Sequence, residues 1–179
     1  MRTDLNLVLA GFGGQGLLFA GKVTAYAGLV EGREISWLPS YGPEMRGGTA
    51  NCSVCVSDEP IGSPLVLTPN ALIAMNLPSF DKFIDTVVPG GVALIDSTMV
   101  SAKTSRTDIT AIYVPATKLA DDNGLSGLAN IILLGRLYKE LGFCSEEALD
   151  KGLAKCVPAS KAAMLDANRK ALKLGMEQP

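Results

Sequence analysis

The chain has 179 residues, 47% hydrophobic and 19% charged, enough for one domain with a packed core. A net charge of −2 gives no electrostatic basis for binding nucleic acid or an anionic membrane, and no stretch approaches the ~20 apolar residues of a membrane span. There is no histidine, so Ser-His-Asp and Cys-His mechanisms within this chain are excluded, together with the commonest metal ligand.

The opening Met-Arg-Thr-Asp leads at once into a short apolar run, which does not read as a signal peptide; a cytoplasmic protein is expected. "LNLVLAG" (Leu5 to Gly11) is a buried strand ending in glycines. Gln15 to Val30 reads as a helix closed by Gly32. "EISWLPS" (Glu34 to Ser40) is a second strand, stopped by Pro39, and "SYGPEMRGG" (Ser40 to Gly48) is a loop. "TANCSVCVS" (Thr49 to Ser57) is a third strand that follows the second with no helix between, the arrangement that lets it run antiparallel.

"NALIAMN" (Asn70 to Asn76) is a buried strand, Pro78 to Val87 a helix broken by Pro89-Gly90-Gly91, and "VALIDS" (Val92 to Ser97) and "AIYVPA" (Ala111 to Ala116) are further strands. Helices are expected at Ser126 to Leu141, Ser145 to Lys155 and Pro158 to Leu174, with Ser145-Glu146 as a cap and first-turn acid and Pro158 at a first helical position. The predicted fold is α/β: three layers, α/β/α, around a mostly parallel sheet with one antiparallel strand and C-terminal helices, as a single domain over residues 1–179.

Four features bear on function. The cysteines are Cys52, Cys55, Cys144 and Cys156. Cys52-Ser-Val-Cys55 has the spelling of a redox pair or half a metal site, but strand positions three apart face opposite ways, so two buried structural cysteines are expected.

Gly11-x-Gly13-x-x-Gly16 lies where a strand meets a helix, the place for an anion at helix N–H groups. The acid that should end the second strand and hold a ribose is missing from "WLPSYGPE"; Glu44 comes only after a Pro-Gly turn, so classical dinucleotide binding loses its second anchor.

The helix after the loop carries one charge, Lys22, and a face of small residues, Ala20, Gly21, Thr24, Ala25 and Gly28. Leu17, Leu18, Val23, Tyr26 and Leu29 fill much of the rest, so either another chain or this chain's C-terminal helices must cover it.

The second loop sets Tyr41, Glu44, Met45 and Arg46 on a backbone stiffened by Pro43 and freed at Gly42, Gly47 and Gly48. Arg46 suits a carboxylate or phosphate, a pair with Glu44, or a partner's carboxylate; with no base nearby, this points to binding rather than catalysis.

With "GFGGQG" opening a helix and "SYGPEMRGG" about 25 residues later, the chain resembles the gamma subunit of the 2-oxoacid:ferredoxin oxidoreductases. The likeness extends through "PNALIAMN", "GGVALIDS", "GLANIILLG" and "NRKALKLG", and the second motif is similar to the 2-oxoglutarate and 2-oxoisovalerate branches. Cys52-x-x-Cys55 is not part of the family motif.

The resemblance implies a complex that oxidatively decarboxylates a 2-oxoacid to acyl-coenzyme A. Thiamine diphosphate and Mg²⁺ would lie in alpha and beta chains, and 4Fe-4S clusters in a ferredoxin-like chain. This chain would be an accessory, inactive alone, with no catalytic or metal-binding residues and no tightly held cofactor; a homodimer of the isolated chain is a further expectation. Gly11, Gly13, Gly14, Gln15, Gly16, Arg46, Gly47 and Gly48 are the candidate residues for subunit contact or for an anion such as a coenzyme A phosphate. The alternative is a stand-alone Rossmann-like nucleotide-binding protein.

Overall fold

The computed structural model describes residues 4–40 and 50–179. Tyr41, Pro43, Glu44, Met45, Arg46, Gly47 and Gly48, and Thr49 of the expected third strand, lie outside the described residues.

Six strands form one sheet: β1 (Leu5–Gly11), β2 (Glu34–Ser40), β3 (Ala50–Ser57), β4 (Ala71–Ala74), β5 (Val92–Asp96) and β6 (Thr110–Val114). Their order is β2-β3-β1-β4-β5-β6. β1, β4, β5 and β6 pair in parallel, while β3 runs antiparallel to both β2 and β1. The short β2–β3 connection, with no crossover helix, imposes that reversal. Pro39 lies within β2 rather than ending it; β2 is an edge strand, where a missing N–H is tolerated.

The helices are α1 (Leu17–Val30), α2 (Leu77–Phe83), α3 (Ala116–Asp122), α4 (Ala129–Leu141), α5 (Glu146–Cys156) and α6 (Ala162–Met176). Several differ from the sequence expectation. α1 begins at Leu17, not Gln15, because Gly14 and Gly16 adopt φ of +89° and +73°, outside the helical region. The helix expected over Pro78 to Val87 divides into α2, capped by Asn76 Oδ1 accepting from Ser79 N, and a 3₁₀ turn over Ile84–Thr86. α4 begins at Ala129, not Ser126, since Gly127 is left-handed at φ +84°. Pro158 precedes a 3₁₀ turn (Ala159–Lys161), and α6 starts only at Ala162. α3 was not expected: β6 stops at Val114, before Pro115, and the chain turns into a helix at once. Ser145 does cap α5, its Oγ accepting from Ala148 N.

Period-two alternation sorts the core by sheet face. Leu5, Leu7, Leu9, Cys52, Val54, Val56, Ile73 and Leu94 point to one side, under α1, α3, α4, α5 and α6. Val8, Ala10, Leu72, Ala74, Ala93 and Ile95 point to the other, where Phe80, Ile84, Val87 and Val100 cover them. Among the described residues, the second layer is therefore one short helix, a 3₁₀ turn and irregular chain.

The small-residue face of α1 is buried within its own chain. A Cβ at Gly21 would stand 2.7 Å from Cys52 Sγ, and one at Gly28 would stand 2.6 Å from Val56 Cγ1. On α1's other side Gly152 of α5 fits so closely that a Cβ there would lie 2.7 Å from Ala27 N. Of the two readings of this helix, cover by the same chain is the one found. Among the described residues, no helix is long and apolar enough to cross a membrane.

Candidate functional site

The glycine turn follows β1 at the carboxyl end of the parallel strands, beside the end of β4. β1 leads into α1 on one face of the sheet and β4 into α2 on the other, so the turn sits at the topological switch point, where open α/β sheets receive ligands.

Its interior is filled by its own side chain. Gln15 Oε1 accepts from Phe12 N at 2.6 Å, and Gln15 Nε2 donates to Met75 O at 3.1 Å. A Cβ at Gly11 would collide with Gln15 Oε1, so glycine at this position is what lets the amide fold back. A backbone N–H that could have faced a phosphate is satisfied internally.

Gly16 meets a second constraint. It accepts from Asn130 Nδ2 at 2.8 Å, and a Cβ on it would fall on that same nitrogen. The turn is thus held by β4 through Gln15 and by α4 through Asn130. Gly13 and Gly14 remain exposed, as does Phe12.

Two grooves flank the turn. One, of about 320 Å³, is bordered by Phe12, Gly13, Gly14, Leu18, Phe19 and the strand ends Ser40 and Ala50. The other, of about 260 Å³, is bordered by Gly14, Gln15, Met75, Thr117, Ser126 and Gly127. The pairing of Gly11 with Ala50 places the start of β3 beside the turn. The strands that bracket the second motif therefore open at the same end of the sheet as the first. Of the candidate residues, Gly11, Gly13, Gly14, Gln15 and Gly16 come together here; Arg46, Gly47 and Gly48 fall outside the described residues.

Beside the second groove stands one fully buried carboxylate, Asp96. Its oxygens accept from Thr98 N at 3.1 Å, Thr117 N at 3.2 Å and Thr117 Oγ1 at 2.5 Å. These contacts tie the turn after β5 to the first turn of α3, and they occupy the group structurally. Sequence reasoning missed Asn130 and Asp96. The signal was there: Asn130 is the lone polar residue in "GLANIILLG", and Asp96 is the polar end of "VALIDS".

The cysteines are all free. Cys52 points under α1, with Sγ 3.6 Å from Leu17 O, while Cys55 points to the opposite sheet face, with Sγ 3.9 Å from Ser63 O. Burial pushes the Cys52 thiol up to about 12, slightly opposed by Trp37, and burial pushes Cys144 to about 12 as well, with the Glu31 charge adding to the rise. Neither is a nucleophile at neutral pH. Among the described residues, no three His, Cys, Asp or Glu side chains are grouped to hold a metal ion.

The family described as pyruvate ferredoxin/flavodoxin oxidoreductase matches residues 6–178. The ketoisovalerate oxidoreductase subunit VorA of Methanothermobacter thermautotrophicus is 42% identical over 97% of this chain. This chain spans only 36% of VorA's length. The 2-oxoglutarate synthase subunit KorC of Methanocaldococcus jannaschii is 37% identical over 88% of this chain and 85% of its own. In three dimensions the chain is similar to the gamma subunit of a keto/oxoacid ferredoxin oxidoreductase from Geobacter sulfurreducens. That likeness has a TM-score of 0.83 and 31% identity, and it covers 97% of this chain and 96% of the other. By its sequence from residue 6 to 178, and by a fold shared with that gamma subunit, the chain belongs to the pyruvate ferredoxin/flavodoxin oxidoreductase family.

Proposed function

We propose that this chain is the gamma component of a 2-oxoacid:ferredoxin oxidoreductase. The complex converts a 2-oxoacid and coenzyme A to acyl-coenzyme A, CO₂ and a proton, passing two electrons to an iron–sulfur acceptor. The names of the relatives support a 2-oxoacid of the ketoisovalerate or 2-oxoglutarate kind. Thiamine diphosphate, Mg²⁺ and 4Fe-4S clusters are assigned to sister chains: alpha and beta chains for the first two, a ferredoxin-like chain for the last. The chain acts as one gamma-type domain over residues 1–179 in the cytoplasm.

The observation that carries this reading is the closed glycine turn. Gln15 takes up Phe12 N and Met75 O, so one N–H of the turn is not free for a pyrophosphate, and the acid that would hold a ribose is missing; both favour close packing over dinucleotide binding. That geometry disfavours a stand-alone nucleotide-binding protein. Gly13 and Gly14, with Arg46, Gly47 and Gly48 of the second motif, are assigned to contact with a sister chain. A coenzyme A phosphate is the second candidate occupant there.

The test is reconstitution. The isolated chain should not reduce a viologen dye with any 2-oxoacid, and addition of the sister chains should restore turnover. Turnover by this chain alone, or micromolar binding of NAD or FAD in calorimetry, would overturn the assignment.

A further inference from the structure

We draw no further inference here: the strongest candidate, the groove between α5 and α6 lined by Leu149, Leu172 and Met176 and by the Asp150–Arg169 ion pair, carries nothing, because the charges along it already pair with one another and nothing in the structure shows what covers it.

Discussion

Asn130 donates its Nδ2 to the carbonyl oxygen of Gly16 across 2.8 Å, joining the first turn of α4 to the residue that precedes α1, 114 positions earlier. Asn130 is 2% exposed, and Gly16 has φ +73°. Gly16 is therefore glycine for two separate reasons, backbone conformation and the amide pressed against its α-carbon. Gly16→Ala should lower stability by about 2 kcal/mol or more, since a left-handed alanine and a steric clash add together. Asn130→Ala should cost about 1 kcal/mol, because Gly16 O keeps its bond from Ala20 N. Urea denaturation of the two variants gives both values, and an equal loss would contradict the double constraint.

Gln15 bridges Phe12 N and Met75 O, so Gln15→Ala should destabilise by about 1–2 kcal/mol. Gln15→Glu keeps the acceptor for Phe12 N but sets a carboxylate oxygen against the Met75 carbonyl. It should be no more stable than the alanine variant at pH 7, and it should recover at pH 4. Thermal melts at the two pH values check this.

α4 and α6 cross through reciprocal glycines. A Cβ at Gly135 would strike Leu172 O, and one at Gly175 would strike Ile132 O. Gly135→Ala and Gly175→Ala should each cost about 3 kcal/mol or more, since backbone cannot move aside as a side chain can. Gly142→Ala, at φ +53° with nothing within 4 Å of its Cβ, should cost only about 1 kcal/mol of conformational strain. Calorimetric melting of the three variants separates clash from strain.

Cys52 and Cys144 have thiols raised from 9.0 to about 12 chiefly by burial. The unfolded chain loses these protons first, so their contribution is complete below pH 9 and declines as pH rises from 9 towards 12. At pH 10 each should account for about 1 kcal/mol of lost stability. Melting temperatures at pH 7 and pH 10 measure the sum, and Cys52→Ala should reduce the difference. Because Cys52 and Cys55 face opposite sides of the sheet, peptide mapping after mild oxidation should find no disulfide between them.

The strands were legible because a buried strand is a short apolar run bounded by turn residues, and Leu5–Gly11 and Val92–Asp96 are of that kind. Helix starts were less so. α1 and α4 both begin after left-handed glycines, where pattern alone extends the helix across residues whose backbone cannot follow. α3 was hidden because seven residues after a proline carry too little periodicity to register. At the glycine turn the spacing was visible, but its meaning depends on where the Gln15 amide goes and on a contact from Asn130, 114 positions away. Spacing rules contain neither.

The α4–α6 crossing bears on how the chain is made. α4 is buried from Ala129 through Leu137, and part of that cover is the backbone of α6 around Leu172 and Gly175. A nascent polypeptide that has reached the end of α4 at Leu141 still lacks the residues through Met176 that complete α6 and sheathe this helix. The part of α4 that α6 covers stays open until α6 has been made, so packing on this side of the sheet is completed by α6.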